Sequence, residues 1–130
     1  MIRVLVVDDH AAVRRGLERL LASTGDLEYV GGADSGAAAV DLAAERCPDV
    51  VVMDLSMPGV DGVEATRRIR ARRPETNVLV LTAVAESARL AAAVEAGAVG
   101  ALTKDTDANS LLAGIRNAAR GSPPEAGVAR

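Results

Sequence analysis

The sequence predicts an α/β fold, a doubly wound (βα)5 sandwich with a five-stranded parallel sheet. Its apolar runs are continuous rather than alternating, which is typical of parallel strands that are buried on both faces. Segments with helical spacing separate these runs, so the element order is βαβαβαβαβα. For five strands with right-handed crossovers we expect the strand order 2-1-3-4-5, with helices on both faces.

Each predicted strand ends where the apolar run meets a polar residue. The runs cover residues 4–7, 50–53, 78–81 and 100–103, and a weaker strand covers residues 28–33. The four stronger runs lead into Asp8, Asp54, Thr82 and Lys104. Because the carboxyl ends of parallel strands share one edge of a sheet, we expect these polar residues to lie together.

Two helices are predicted from apolar side chains at helical spacing. Their apolar faces are Val13, Leu17, Leu20 and Leu21 in the first, and Leu111, Leu112, Ile115 and Ala119 in the last. Ser35 and Asp107 are residues that commonly cap helix N-termini, and each precedes a helical segment. Pro74 follows an arginine-rich stretch and predicts the end of the third helix.

Composition limits the function classes. The chain has 130 residues, an apolar share of 49% and a net charge of -3, which favours one folded domain without the basic excess of a nucleic-acid-binding domain. No run approaches the roughly 20 apolar residues of a membrane span. Cys47 is the single cysteine and Met1 leads into a strand, so we expect a cytoplasmic domain without a signal peptide.

Residues 1–120 are predicted to fold, and residues 121–130 to form a linker or a disordered tail.

The polar strand ends favour phosphoryl chemistry. Asp8, Asp9 and Asp54 would lie at the switch point between strands one and three, where two like charges about 4 Å apart cost about 4 kcal/mol at an effective dielectric near 20. Mg²⁺ and the Lys104 ammonium would offset this repulsion. A carboxylate in such surroundings can attack phosphorus and form an aspartyl-phosphate, while the Thr82 hydroxyl donates to a transferring oxygen.

The strings VLVVDDH, DLSMPGVDG, VLVLTA and GALTKD resemble the receiver domain of two-component response regulators, over about residues 2–121. DDH, DGVEATRRIR and KD resemble the NarL/LuxR type. The resemblance implies a phosphoacceptor, a Mg²⁺ site, a switch hydroxyl and a phosphate-contacting lysine. By this resemblance Asp54 is the phosphoacceptor, Thr82 carries the switch hydroxyl and Lys104 contacts the phosphate. The implied Mg²⁺ ligands are Asp8, Asp9, Asp54 and the backbone carbonyl of Ser56.

The same resemblance implies a histidine kinase as phosphoryl donor and an output in transcription. In NarL/LuxR-type regulators a receiver precedes a helix-turn-helix domain, which this sequence does not contain. We therefore expect no direct nucleic acid contact by this domain and no membrane contact. The surface of strands four and five with their helices, or that of the first and last helices, could mediate homodimerisation.

The sequence departs from the family at Ala101, three residues before Lys104, where an aromatic residue is usual. A methyl group cannot alternate between two rotamers, so the read-out of phosphorylation is predicted to be altered. One alternative function is therefore a phosphorylation-independent interaction module with a vestigial pocket. A phosphatase or phosphotransferase is the other, although Ser56 stands where such an enzyme would carry a second acid.

Several residues have a structural interpretation beside a functional one. His10 is interpreted as a turn or helix-start residue rather than as a proton carrier or ligand, since the chain has no second histidine. Cys47 is interpreted as a helix-end residue, and Met53 and Met57 as packing residues. The arginines at positions 67, 68, 70, 72 and 73 are interpreted as a solvated helix face.

Overall fold

In a computed structural model that describes residues 1–83 and 89–121, five strands alternate with five helices. The strands are β1 (Ile2–Val7), β2 (Leu27–Ala33), β3 (Val50–Asp54), β4 (Asn77–Thr82) and β5 (Gly100–Thr103). The helices are α1 (Ala11–Ala22), α2 (Gly36–Arg46), α3 (Gly62–Arg72), α4 (Leu90–Glu95) and α5 (Ala108–Ala119). The predicted element order is confirmed.

The sheet is parallel throughout, and its order is β2-β1-β3-β4-β5, as predicted. In the register, Val7 pairs with Met53, Asp54 with Leu81, and Thr82 with Thr103. The carboxyl ends of β1, β3, β4 and β5 therefore lie side by side, with the direction of winding reversing between β1 and β3.

Alternate residues of the central strands enter two separate hydrophobic cores. On one face Leu5, Val51 and Met53 pack with α2, α3 and α4; on the other, Val52 and Leu79 pack with α1 and α5. Both cores are almost entirely aliphatic, which follows from a composition without Phe or Trp. Burial on both faces explains why the strands appear in the sequence as continuous apolar runs.

The predicted helix boundaries are confirmed. The side chains of Ser35 and Asp107 accept backbone N–H groups of Ala38 and Ser110 at 3.2 and 2.7 Å. Helix α3 ends at Arg72, before Pro74. All of the predicted tail, residues 121–130, lies outside the described residues except residue 121.

The helix-end interpretation of Cys47 is also confirmed. Cys47 is the C-cap of α2 and adopts a left-handed conformation with φ 50°. Its side chain is exposed. Left-handed backbone at this place is usually occupied by glycine, because a side chain makes it strained.

The arginine-rich stretch on α3 has local partners. Arg67 and Arg68 both pair with Glu64, at 2.6 and 2.9 Å, and Arg73 pairs with Glu75 at 3.2 Å. The contacts of Arg67 and Arg68 agree with the interpretation of a solvated helix face. Arg70 does not fit it, because this side chain is partly buried, donates to the carbonyls of Pro74 and Thr76, and has a buried Nε without a partner in the described part of the chain. Within residues 1–83 and 89–121, no helix is long and apolar enough to cross a membrane.

Candidate functional site

The site lies at the carboxyl edge of the sheet, where β1, β3 and β5 each contribute their last residue or the residue after it. Asp8 follows β1, Asp54 is the last residue of β3, and Lys104 follows β5. Asp8 and Asp54 are only 2% and 3% exposed, although both carry carboxyl groups. Two acidic side chains are thus held in the protein interior beside one another.

Lys104 bridges the two buried carboxylates. Its Nζ lies 3.1 Å from Asp8 Oδ2 and 3.3 Å from Asp54 Oδ1. The backbone amide of Lys104 donates to the carbonyl of Thr82 at 2.7 Å, which ties the loop after β5 to β4. The ammonium is therefore positioned from two directions, by backbone pairing and by its own ion pairs.

The carboxylate of Asp54 is only partly satisfied. Its Oδ1 accepts the backbone N–H of Ser56 at 3.2 Å. Its Oδ2 is buried and has no hydrogen-bond partner within the described part of the chain. A buried carboxylate oxygen without a hydrogen-bond partner destabilises the folded protein. A cation or a reacting group in contact with this oxygen would therefore be stabilised.

The electrostatics of the pocket favour an added positive charge. Burial raises the pKa of the Asp54 carboxyl, and the charge of Asp8 raises it further against the opposing effects of Ser56 and Lys104. Burial disfavours the Lys104 ammonium, but its hydrogen bond to Asp8 and the charge of Asp54 outweigh this and raise its pKa. One lysine thus leaves negative charge in the pocket uncompensated.

The donor atoms fit a divalent cation. One atom from each of Asp8, Asp9, His10 and Asp54 lies within 4.8 Å of all the others. Carboxylate oxygens are the ligands that Mg²⁺ prefers, and Asp8, Asp9 and Asp54 supply them. The predicted ligand role of the Ser56 carbonyl stays a prediction, since the contact of Ser56 with Asp54 is made by its amide.

Thr82 lies at the same edge but does not join the cluster of charges. Its hydroxyl donates to the Ala83 carbonyl at 3.3 Å, and no hydrogen bond connects it to Asp54 or Lys104 among the residues described. Thr82 is 1% exposed.

Ala101, which replaces the usual aromatic residue, is 4% exposed and packs in the core shared by α2, α3 and α4.

His10 is the N-cap residue of α1, as the helix-start interpretation predicted, and its ring lies next to the acidic pair. Its backbone amide donates to Asp8 Oδ1 at 2.9 Å, and it makes no side-chain cap bond to the helix. Its Nδ1 lies 3.0 Å from Asp8 Oδ1 and equally far from Asp9 Oδ1. The position of the ring was not predicted from the sequence.

Sequence reasoning missed a second contact network beside Asp54. The Arg89 guanidinium donates to the Leu55 carbonyl at 3.1 Å and forms an ion pair with Asp61. Asp61 also caps α3, accepting the N–H of Glu64 at 3.0 Å. An Asp three residues before a Glu is a capping signal that could have been noticed, whereas the approach of Arg89 has no local signal.

The close packing of α3 against β3 depends on Gly62. A Cβ atom at this position would lie 2.2 Å from the Asp54 carbonyl oxygen, well inside contact distance. The Gly62 amide donates to the Leu55 carbonyl at 3.2 Å. The beginning of α3 is therefore fixed directly behind the candidate acceptor residue.

Comparison with known proteins decides the family. The sequence profile of the response regulator receiver domain matches residues 4–116. This chain belongs to that family. Among curated relatives of this receiver domain, the transcriptional regulatory protein LiaR of Bacillus subtilis (strain 168) is 42% identical over 123 residues. The match covers 95% of the receiver chain and 58% of LiaR.

Solved structures agree with this assignment. A LuxR-family response regulator from Aurantimonas sp. SI85-9A1 has a TM-score of 0.87 and 39% identity, over 93% of this receiver and 86% of that chain. The signal receiver domain of a regulator named NarL from Mycobacterium tuberculosis has a TM-score of 0.87 and 38% identity, over 92% and 97%. The receiver is therefore of the NarL/LuxR type.

The receiver spans about half the length of the curated relatives that it matches, 58% of LiaR and 54% of the response regulator GacA from Pseudomonas aeruginosa.

Proposed function

We propose that this receiver accepts a phosphoryl group from a histidine kinase onto Asp54, in a Mg²⁺-dependent reaction, and that the phosphorylated form regulates an output. The output is transcription, through a DNA-binding domain outside this chain. The domain catalyses only its own phosphorylation and dephosphorylation, acts in the cytoplasm, touches neither nucleic acid nor membrane itself, and can homodimerise.

The observation that carries this proposal is the state of the Asp54 carboxylate. One oxygen is held by Lys104 and the Ser56 amide, and the other is buried without a partner among the described residues. A nucleophile needs a lone pair that is not already committed to a donor. The held oxygen fixes the orientation of the carboxylate, and the unpartnered oxygen is left to attack.

In the transfer step, a bond forms between an Asp54 oxygen and phosphorus while the bond from phosphorus to the kinase histidine nitrogen breaks. The electron pair of the broken bond stays on the imidazole, which then takes a proton from solvent. Lys104 neutralises charge on the transferring phosphoryl oxygens, and the Thr82 hydroxyl donates to one of them after leaving the Ala83 carbonyl.

Asp8, Asp9, Asp54 and the Ser56 carbonyl are the proposed Mg²⁺ ligands. When bound, the ion supplies positive charge for the incoming phosphoryl oxygens. The buried carboxylate of Asp8 and the partly exposed carboxylate of Asp9 would hold this charge. We see no base positioned for rapid hydrolysis among the described residues, so the phosphorylated state is expected to persist.

Phosphorylation would shift a pre-existing equilibrium between two conformations. Movement of Thr82 toward the phosphoryl group would pull on the backbone after β4. The Ala101 side chain cannot change rotamer in response to this movement. The conformational change would therefore be transmitted by the backbone after β4.

The test is intact-mass spectrometry after incubation with acetyl phosphate, with and without Mg²⁺, on the chain and on Asp54→Asn. We expect one added phosphoryl group that requires both the metal and Asp54. Lack of an adduct on a folded protein that binds Mg²⁺ would overturn the assignment of Asp54 and favour a phosphorylation-independent interaction module with a vestigial pocket.

A further inference from the structure

We propose that Arg89 is a positioning residue for phosphoryl transfer to Asp54. It orients the acceptor carboxylate through the peptide unit that joins Leu55 to Ser56, here called the Leu55–Ser56 peptide. The inference rests on the proposed function, since it concerns the same acceptor residue. It gives a part in the reaction to a side chain that lies outside the buried charge cluster of the pocket.

The Leu55–Ser56 peptide lies just beyond the sheet. The last paired residue of β3 is Asp54, opposite Leu81, so the strand ladder does not fix the direction of this peptide. Its amide end is the Ser56 N–H, which donates to Asp54 Oδ1 at 3.2 Å. The direction of this N–H, and with it the orientation of the carboxylate, therefore depends on contacts at the carbonyl end of the same peptide.

Two donors meet that carbonyl end. Leu55 O accepts the Arg89 guanidinium at 3.1 Å and the backbone N–H of Gly62 at 3.2 Å. A peptide unit is planar, so a contact that fixes the direction of its carbonyl also fixes the direction of its amide. Leu55 is fully buried, and in such surroundings a cationic donor on the carbonyl polarises the peptide and strengthens its N–H as a donor.

The Arg89 guanidinium is itself held in place. Its planar fork presents two N–H groups at once, one to the Leu55 carbonyl and the other to the Asp61 carboxylate. Asp61 is fixed in turn, because its Oδ1 accepts the N–H of Glu64 at 3.0 Å as the cap of α3. The ion pair is about one-third exposed on both sides and adds little stability, so its main effect is to direct the guanidinium at the carbonyl.

The orientation of the carboxylate matters because only one Asp54 oxygen is held. Oδ1 accepts from Ser56 and Lys104, while Oδ2 is buried and has no hydrogen-bond partner in the described part of the chain. If the Ser56 N–H loses its direction, the carboxylate turns more freely and Oδ2 faces the phosphorus atom for less of the time. Arg89 acts through the peptide and not on the phosphoryl donor, so we expect an effect on the maximum rate and not on donor binding.

The first measurement is the amide proton chemical shift of Ser56 and Gly62 by NMR, on the full chain and on Arg89→Ala, in the presence of a chelator. Without the guanidinium the Ser56 N–H is less polarised, and its signal should move upfield. The Gly62 N–H no longer shares its acceptor, and its signal should move downfield. A general loosening around α4 would instead weaken both hydrogen bonds and move both signals upfield.

The second measurement is the rate of adduct formation at saturating Mg²⁺, followed by intact mass over a range of acetyl phosphate concentrations. In Arg89→Ala we expect the maximum rate constant to fall about tenfold, with the half-saturating concentration of acetyl phosphate unchanged. Arg72→Ala, which removes an exposed arginine of α3, is the matched control and should leave the rate and both amide shifts unchanged.

An adduct in the wild type, combined with amide shifts in the same direction or an unchanged maximum rate in Arg89→Ala, would overturn the inference on Arg89 alone. Lack of an adduct in the wild type would overturn the proposed function, and the part of Arg89 in phosphoryl transfer with it. The amide shifts need no phosphoryl donor, so the two failures are distinguishable.

Discussion

Asp54 has two properties that destabilise the folded protein. Its carboxylate is buried, and one carboxylate oxygen has no hydrogen-bond partner among the described residues. Burial and the neighbouring Asp8 both raise the pKa of its carboxyl. A raised pKa in the folded state means that folding favours the protonated form. The contribution of Asp54 to the free energy of unfolding is therefore fully present below the ordinary aspartate pKa. It is lost as the pH rises through the folded-state pKa.

We predict that Asp54→Asn stabilises the metal-free protein by about 1–2 kcal/mol at neutral pH, because it removes a buried charge while keeping an acceptor for Ser56 and Lys104. Urea unfolding in the presence of a chelator, between about pH 4 and about pH 7, measures this. The wild type should lose stability relative to the variant as pH rises. Parallel pH profiles would contradict the raised pKa of Asp54.

Cys47 is a second residue at which local strain is visible. Its left-handed backbone, with φ 50°, is a conformation that a Cβ atom disfavours. We predict that Cys47→Gly raises the free energy of unfolding by about 0.5–1 kcal/mol, since relief of strain exceeds the added flexibility of the unfolded chain. Cys47→Ala keeps the strain and should show no comparable gain in the same urea titration.

At the scale of elements, the strands were predictable because both faces of each central strand are buried, which leaves a plain apolar run in the sequence. The caps of α2 and α5 were predictable because Ser35 and Asp107 act on amides only three residues away. Thr82 and His10 were placed at the right strand and helix ends. Their side-chain directions were not predictable, because rotamers depend on neighbours that are distant in sequence.

Helix α3 makes a contact with β3 that no sequence pattern predicted. Gly62 allows the helix to begin against the last residue of β3, where a Cβ would lie 2.2 Å from a carbonyl oxygen. We predict that Gly62→Ala destabilises the fold by about 3 kcal/mol or more, because backbone must move to relieve the overlap. Chemical denaturation measures the change.

Gly16 provides the matched control. It lies inside α1, where an added Cβ would meet no described atom within 4 Å, and alanine is the better helix former. Gly16→Ala should therefore stabilise the protein by about 0.5–1 kcal/mol. A similar effect for both glycine substitutions would show that α3 approaches β3 less closely than the Gly62 contact requires.

Helix α4 has six residues, fewer than an isolated helix needs, so its order depends on tertiary contacts. Arg89 supplies one such contact at the start of the helix through Leu55 and Asp61. We predict that Arg89→Ala speeds amide hydrogen exchange across α4 while changing global stability by less than about 1 kcal/mol, because the ion pair is partly exposed. Arg67→Ala, which breaks a pair within α3, is the control and should leave α4 exchange unchanged.

At the scale of the whole molecule, one sheet separates two aliphatic cores that do not touch each other. Ile69 on α3 and Ile115 on α5 are buried on opposite faces. We predict that Ile69→Val and Ile115→Val each cost about 0.5–1.5 kcal/mol, and that the double variant costs their sum within about 0.5 kcal/mol. Urea unfolding should remain a single transition, and a marked departure from additivity would mean that the sheet transmits packing changes between the faces.

The pocket draws its charged groups from positions 8, 54 and 104, so no short segment of the chain contains it. A divalent cation that binds the carboxylates of Asp8 and Asp54 binds only the folded chain, and mass action then couples its concentration to folding. At a free concentration one hundred times the dissociation constant, this coupling adds about 2.7 kcal/mol to the free energy of unfolding. The resistance of this domain to proteolysis would thus rise and fall with the divalent-ion content of its surroundings, independently of any kinase.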